Sequence, residues 1–254
     1  MLLAFDIGNT NITIGAFDDE VLLFTARLAT DKKLSSDQYG YQIKNILSLY
    51  DRDISEIEDC IIASVVPSVQ SAISTAVSDF CDLVPIIVGP GVKTGLNIKI
   101  DNPAQLGADL VVGAVGAMAE YTLPCIFIDM GTATTVCAVD KNGAFIGGSI
   151  GAGVKLTLNA LCDNTAQLPA IDITAPHSVI GTNTADCMKS GLVFGTAAMI
   201  DGLVERMIYE IGEPCSVVAT GGLSKEIIKY CKNEIIYNEN LVLDGLKLIY
   251  ERNK

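Results

Sequence analysis

Basic residues are scarce in this chain. The sequence has 17 Lys and Arg against 30 Asp and Glu, a formal net charge of −13 at pH 7. A surface this acidic repels nucleic-acid phosphates and anionic membranes, so we expect neither as a partner. A nucleotide stays compatible with this charge, because Mg²⁺ and backbone N–H groups can contact its phosphates. Proline is also sparse, at 8 positions, whereas hydrophobic residues make up 50% of a chain long enough to bury a sizeable core.

Histidine occurs once, as His177, and none of the 8 cysteines forms a CxxC pair. We therefore expect no Cys/His metal site. Most cysteines stand in apolar stretches such as DCIIAS and LPCIFID, which favours buried free thiols in a reducing compartment. No uncharged apolar run reaches the roughly 18 residues of a membrane span, and no basic stretch opens the sequence. These features predict a cytoplasmic protein.

One structural unit is predicted twice along the chain. Each copy starts with a meander of three strands and continues with alternating helices and strands. An acidic turn recurs at the same place in both copies, as Asp6-x-Gly8 and as Asp129-x-Gly131. The pattern predicts an α/β protein of two lobes, each a mixed β-sheet flanked by helices, with lobes at 1–120 and 121–254.

Hydrophobic periodicity, caps and turn residues predict the individual elements. Helices are expected at 36–50, 67–80, 103–118, 154–161, 184–211, 225–231 and 242–250. Strands are expected at 2–7, 11–17, 21–28, 60–66, 84–88, 125–129, 134–140, 144–150 and 216–219.

The first acidic turn has the residue types of a phosphate-binding loop. Gly8 allows a close approach of the backbone to a phosphate, and Asn9 and Thr10 add short donors. Asp6 is placed to hold a hydrated Mg²⁺, an ion that usually takes only one or two carboxylates. An ordinary hairpin turn uses the same residue types, so this motif alone leaves both interpretations open.

The second acidic turn strengthens the case for nucleotide binding. Asp129 and Gly131 repeat the carboxylate and the glycine, and Thr132, Thr134 and Thr135 add three hydroxyl groups. Two such loops at matching places in two repeats are typical of a nucleotide clamp.

Two further motifs carry weaker signals. Gly221 and Gly222 lie between a strand and a helix, which suits an approach to a nucleotide and equally suits a plain turn. Asp109 stands in an otherwise apolar helix, where loss of water contact would raise its pKa toward that of a useful general base. The alternative is a solvent-facing acid near a helix N-terminus.

The order and spacing of several segments together resemble those of the type III pantothenate kinases, which belong to the acetate and sugar kinase, heat-shock protein and actin superfamily. The segments are DIGNTNITIG, NPAQLGADL, IDMGTATTVCAVD, GGSIGAG, TAQLP, GTNTADCMKSGLVFG, ATGGL and LVLDGLKLIYERN. The resemblance implies two actin- or ribonuclease H-like lobes with the active site in the cleft between them. It also implies ATP-dependent phosphorylation of pantothenate to 4'-phosphopantothenate, the first step of coenzyme A biosynthesis, by a homodimer that needs Mg²⁺ and a monovalent cation, K⁺ or NH₄⁺.

The resemblance also implies a role for each matching position. Asp109 takes the proton from the substrate hydroxyl, Asp6 binds Mg²⁺ and Asp129 binds the monovalent cation. The pantothenate pocket is lined by Gly107, Ala108, Asp109 and Thr184. Nucleotide and phosphate contacts come from Asp6, Gly8, Asn9, Thr10, Gly131, Thr132, Thr134, Gly221 and Gly222.

Of the departures from the family pattern, one removes a charge, and those at Ala152 and near Ile98 or Ile100 alter only the shape of the pocket. The family has Arg after the aspartate of its G-x-D-R motif, and this chain has Leu110. An Arg would offer a fixed bidentate cation to an anionic substrate, which Leu110 cannot do. This motivates an alternative function, a kinase-fold paralogue with another acceptor or a regulatory binding protein without activity. Lys93, Lys99 and Lys155 are candidates to replace the missing charge.

Overall fold

The structure is a computed structural model and describes residues 1–254. The α-helices are α1 (Ser36–Leu49), α2 (Pro67–Cys81), α3 (Ala108–Glu120), α4 (Val154–Asp163), α5 (Thr184–Ile211), α6 (Ser224–Ile227) and α7 (Leu241–Glu251). The strands are β1 (Leu2–Ile7), β2 (Asn11–Asp18), β3 (Val21–Ala29), β4 (Asp59–Ser64), β5 (Ile86–Ile87), β6 (Asn97–Ile98), β7 (Cys125–Met130), β8 (Ala133–Val139), β9 (Ala144–Ala152), β10 (Ser216–Thr220) and β11 (Ile236–Tyr237). Short 3₁₀ turns lie at Ile54–Glu56, Pro103–Gln105 and Ile228–Tyr230.

The first sheet has the strand order β3-β2-β1-β4-β5. The predicted meander forms its antiparallel part, and β1, β4 and β5 run parallel. Phe5 and Ile62 from this sheet join Tyr39 of α1 and Ile73 of α2 in one buried apolar core. Because parallel strands end at the same edge of a sheet, the acidic turn after β1 and the segment after β4 meet at one edge.

The second sheet has the order β11-β10-β7-β8-β9-β6 and repeats the plan of the first. Strands β7, β8 and β9 form an antiparallel meander, and β10 runs parallel to β7. Ile128 and Val136 from the sheet pack with Leu158 of α4 and Ile200 of α5 in a second buried core. The predicted α/β class with two mixed sheets flanked by helices is therefore confirmed.

Contacts along the chain define two compact units. The first unit consists of Met1–Gly95, Asn102–Gly116 and Val242–Lys254, and the second of Leu96–Asp101 and Ala117–Leu241. These units differ from the predicted lobes 1–120 and 121–254 mainly in the placement of α7. The apolar face of α7 packs into the first unit, where Leu243 contacts Gly15 and Gly245 lies against the Val112 backbone.

Helix α5 is long and apolar enough to cross a membrane by length and composition alone. It packs against the second sheet, with Met188, Leu192 and Val204 buried. Its buried face is that of a core helix.

Three element predictions need correction, and two short strands were not predicted. The predicted helix 103–118 is split, because Leu106 is extended (φ −67°, ψ 124°) and α3 begins only at Ala108. The predicted helix 225–231 is a short α6 followed by a 3₁₀ turn, and the predicted strand 84–88 is reduced to the two residues of β5. Strands β6 and β11 are too short to show alternation in the sequence, and no element was predicted there.

The prediction of buried cysteines is only partly right. All eight thiols are free, but only Cys60, Cys125 and Cys137 are buried, and Cys187 is exposed. Burial raises the pKa of Cys125 to about 12, so its thiol stays protonated at neutral pH.

Candidate active site

The first acidic turn joins β1 to β2. Asp6, half-buried at the end of β1, lies opposite Thr13 of β2 in the antiparallel register. The turn is closed by a hydrogen bond of 3.0 Å from the Gly8 N–H to the Asn11 carbonyl. Asn9 is exposed, and neither its backbone N–H nor its side chain makes a hydrogen bond within the protein. This leaves donors of the turn open to an anion.

The second acidic turn joins β7 to β8 and is one residue shorter. Asp129 lies opposite Thr135 in the register, as Asp6 lies opposite Thr13. The Gly131 N–H donates to the Ala133 carbonyl at 3.0 Å and closes the turn. Both repeats thus carry an aspartate near the end of their first strand, Asp6 on β1 and Asp129 on β7.

The Gly221–Gly222 segment lies directly against the second acidic turn. Gly221 has a φ of +96°, which favours glycine. A Cβ built on Gly221 would lie 2.7 Å from the Asp129 Oδ1 and 2.7 Å from the Met130 carbonyl oxygen. The structure therefore brings two of the predicted nucleotide motifs together in the second unit, and only glycine fits at the point of contact.

Two hydroxyl groups beside the second turn are buried without a hydrogen-bond partner, those of Thr134 and Thr135. Thr134 is only 2% exposed and faces the core with Val136, although the sequence predicts a phosphate contact for it. Thr135 shares the sheet face of Asp129. A buried hydroxyl without a partner costs free energy, so each such group calls for an explanation.

Asp109 lies in the first turn of α3 in the first unit. Its Oδ1 accepts a hydrogen bond of 2.9 Å from the Leu110 N–H. A Cβ on Gly107 would lie 2.4 Å from the same Oδ1, so the carboxylate folds back over the place where any other residue would carry a side chain. Burial raises the pKa of Asp109 above its ordinary value, and the Leu110 hydrogen bond opposes this shift only in part. The helix therefore holds a partly desolvated carboxylate, as a general base requires.

The remaining predicted pocket residues lie in separate elements. Ala108 is the first residue of α3, next to the carboxylate. Thr184 is the exposed first residue of α5 in the second unit. Its position is fixed by Asn183, whose side chain caps α5 by accepting a hydrogen bond from the Asp186 N–H at 2.9 Å.

The three candidate lysines differ in their surroundings. The Lys99 ammonium pairs with Asp140 at 3.3 Å and is already compensated. Lys93 is exposed without an ion pair, and its backbone accepts and donates hydrogen bonds of 3.0 Å with the Asn253 side chain. Lys155 is exposed in the first turn of α4. Lys93 and Lys155 thus keep an uncommitted positive charge.

Sequence reasoning missed one residue beside the acidic turns, Thr30. Thr30 follows β3 and its hydroxyl donates to the Gly8 carbonyl at 2.7 Å. The duplication could have pointed to this position, because Thr30 follows β3 in the first repeat as Gly153 follows β9 in the second. Alignment of the third strands as well as the acidic turns would have drawn attention to Thr30.

The chain is similar in sequence to a known family of kinases. A sequence profile of the type III pantothenate kinases matches residues 2–206. A type III pantothenate kinase of Exiguobacterium sibiricum is 43% identical over 254 residues, which span 100% of this chain and 100% of that protein.

Solved structures show the same fold at low identity. A Sinorhizobium meliloti protein described as a 2-dehydro-3-deoxygalactonokinase has a TM-score of 0.65 at 13% identity, covering 99% of this chain and 98% of its own. A Campylobacter jejuni protein described as a Baf family transcriptional activator has a TM-score of 0.61 at 18% identity, with coverage of 99% and 98%.

Proposed function

The chain belongs to the type III pantothenate kinase family, and we propose that it transfers the γ-phosphate of ATP to the hydroxyl of pantothenate. The products are 4'-phosphopantothenate and ADP, in the first step of coenzyme A biosynthesis. The observation that carries the proposal is the Asp109 carboxylate, partly desolvated and held over Gly107. No feature of the fold favours the alternative of a regulatory binding protein.

The proposed role of Asp109 is to accept the proton of the attacking hydroxyl. A carboxylate deprived of water is a stronger base than an exposed one, and its hydrogen bond to the Leu110 N–H fixes its direction. Phosphoryl transfer otherwise depends on positioning and on stabilisation of charge. We assign the positioning of the phosphates to the two acidic turns, through Gly8, Asn9 and Thr10 in the first and Gly131 and Thr132 in the second.

The residues of the first turn fit a magnesium ion bound with the nucleotide. No group of three or more His, Cys, Asp or Glu side chains lies together, so the protein has no complete ligand cage. Mg²⁺ does not need one, since it keeps several waters and takes one or two carboxylates plus phosphate oxygens. Asp6 would hold it, and the bound ion would neutralise charge on the phosphates.

The second turn fits a monovalent cation. Asp129 offers a carboxylate, and the Thr135 hydroxyl on the same sheet face is buried with no hydrogen-bond partner. An oxygen-lined site for K⁺ or NH₄⁺ beside Asp129 would satisfy this hydroxyl. The sequence resemblance assigns the cation to Asp129, and the unpaired hydroxyl of Thr135 supports that assignment.

Pantothenate is an anion, and the family Arg that would meet its charge is Leu110 here. We propose that Gly107, Ala108 and Thr184 contact the substrate. Lys93 and Lys155 are the candidates to supply positive charge, because the Lys99 ammonium is already paired with Asp140.

A homodimer is supported by apolar side chains exposed in the second unit. Ile150 is 72% exposed and Ile180 is 81% exposed. On α5, Gly191 and Gly195 have nothing within 4 Å of a built Cβ, so this helix face can accept a close neighbour. A second copy of the chain would cover such a surface. Light scattering should give the mass of a dimer, and a monomer at micromolar concentration would contradict the proposal.

We also propose a cytoplasmic location without nucleic-acid or membrane partners. The eight free thiols suit a reducing compartment, and the net charge of −13 repels polyanions.

The decisive test is ADP release by the purified protein with ATP, Mg²⁺ and K⁺, with and without pantothenate. We expect release that depends on pantothenate, and a fall of about 10²- to 10⁴-fold in kcat for Asp109→Asn, with nucleotide binding retained. Release without pantothenate, or an Asp109→Asn variant with most of its activity, would contradict the assignment.

Asp109→Asn should lower activity but raise stability. Burial raises the folded-state pKa of Asp109, so its contribution to stability is present at low pH and is lost as the pH rises through that pKa. Asp109→Asn should therefore raise the free energy of unfolding at pH 7, measured in urea. The acid limb of kcat/KM for the wild type should also lie above the pH expected for an ordinary aspartate, about 3.9.

A further inference from the structure

Thr30 makes two hydrogen bonds to the first acidic turn. Its hydroxyl donates to the Gly8 carbonyl at 2.7 Å, and its N–H donates to the Thr10 carbonyl at 3.0 Å. Thr30 is the residue after β3, half-buried, and 22 positions distant from Gly8 in the chain. The two bonds therefore fix two peptide groups of the turn from a neighbouring strand.

The bond to Gly8 also sets the direction of the next donor. In a trans peptide the carbonyl and the following N–H point in opposite directions in one plane. With the Gly8 carbonyl turned toward Thr30, the Asn9 N–H points away from Thr30. That N–H has no acceptor within the protein, and Asn9 is exposed. Without the Thr30 hydroxyl this peptide could rotate and present an oxygen to the phosphate in place of a hydrogen.

A second layer holds Thr30 in place. The Tyr39 hydroxyl donates to the Asp31 carbonyl at 2.8 Å and accepts from the Asp31 N–H at 3.1 Å. Tyr39 is 0% exposed and lies in the core of the first unit. The residue next to Thr30 is thus bound on both sides of its backbone by a side chain that cannot move freely.

We propose that Thr30 is a positioning residue for nucleotide binding, whose hydroxyl orients the Gly8–Asn9 peptide so that the Asn9 N–H meets a phosphate of ATP. Tyr39 supports it by fixing Asp31. The inference rests on the proposed role of the first acidic turn. It adds a residue outside the turn motif, and it predicts that loss of the Thr30 hydroxyl raises the KM for ATP but not the KM for pantothenate.

The test compares Thr30→Val, which keeps the shape and removes the donor, with Thr30→Ser, which keeps the donor. Thr30→Val should raise the KM for ATP about five- to tenfold, the effect of one lost hydrogen bond, with the KM for pantothenate within about twofold of wild type. Thr30→Ser should restore the KM for ATP. Thr25→Val is the matched control, because Thr25 is an exposed residue of β3, the strand that ends just before Thr30, and its hydroxyl makes no hydrogen bond.

Urea unfolding of each variant identifies any loss of fold, and Thr30→Ala replaces Thr30→Val if the valine does not fold. An unchanged KM for ATP in the folded Thr30 variants, together with a raised one in Asp6→Asn, would overturn the inference and leave the turn assignment intact. If neither Thr30→Val nor Asp6→Asn changed the KM for ATP, the turn itself would not be the nucleotide site. Equal increases in both KM values would also overturn the inference, because they indicate a general structural effect.

Discussion

The two acidic turns differ in length by one residue, are anchored by the same kind of backbone hydrogen bond, and differ in what else holds them. In both repeats the residue after the third strand donates its N–H to a carbonyl of the turn at 3.0 Å, Thr30 to Thr10 and Gly153 to Thr132. Thr30 adds a side-chain hydrogen bond of 2.7 Å. Gly153 has no side chain to add a second contact. A Cβ built on it would lie 2.4 Å from the carbonyl oxygens of both Gly131 and Thr132.

The two repeats of this fold therefore hold their acidic turns in different ways. The first turn depends on the presence of a hydroxyl group and should be sensitive to its removal. The second depends on the absence of a side chain and should be sensitive to the addition of a single carbon.

The largest effect is expected from Gly153→Ala. The added Cβ would overlap two backbone carbonyls, which cannot move aside as a flexible side chain could. We expect the free energy of unfolding to fall by about 1–3 kcal/mol. Displacement of the turn should lower kcat/KM for ATP by roughly 10²-fold, measured by ADP release and urea unfolding.

Gly151→Ala is the matched control for that variant. Gly151 lies on β9, two residues before Gly153, and the nearest neighbours to a Cβ built on it, the Met199 Sδ and the Thr134 carbonyl oxygen, are at an ordinary 3.9 Å. Equal losses of stability and activity in Gly151→Ala and Gly153→Ala would contradict the claim that the second turn depends on the missing side chain of Gly153.

A smaller effect is expected from Thr135→Val. In buffer without K⁺ the change removes a buried hydroxyl that has no partner, so stability should rise by about 1 kcal/mol. If the hydroxyl binds the cation, the K⁺ concentration for half-maximal activity should rise severalfold.

Thr13→Val is the counterpart in the first turn, because Thr13 lies opposite Asp6 as Thr135 lies opposite Asp129. It should leave the K⁺ requirement unchanged. A loss of stability in Thr135→Val would show that its hydroxyl has a partner in solution.

Much of the fold follows from the sequence because its signals are local. Ser35 and Gln38 form the capping box that starts α1 beside its apolar stripe. Helix α5 has the predicted bounds 184–211, fixed by the Asn183 cap and by Gly212 at φ +78°. The division of the chain into units depends on nonlocal contacts. Helix α7 belongs to the first unit through packing with residues far away in sequence, which no local pattern records.

The candidate site shows the same limit. The motifs around Gly8, Gly131 and Gly107 are visible in the sequence, because glycine marks a close approach of the backbone. The reason for Gly107 emerges only in three dimensions, where the Asp109 carboxylate occupies the place of its missing Cβ. Thr30 carries no motif of its own and acts across strands, so the turn motifs do not identify it.

The most direct test of the account is the dependence of activity on each cation in Asp6→Asn and Asp129→Asn. If the first turn holds Mg²⁺ and the second a monovalent cation, Asp6→Asn should raise the Mg²⁺ concentration for half-maximal activity without changing that for K⁺. Asp129→Asn should do the reverse. The same cation shifted by both variants, or an unchanged requirement for both cations, would contradict the division of roles between the two turns.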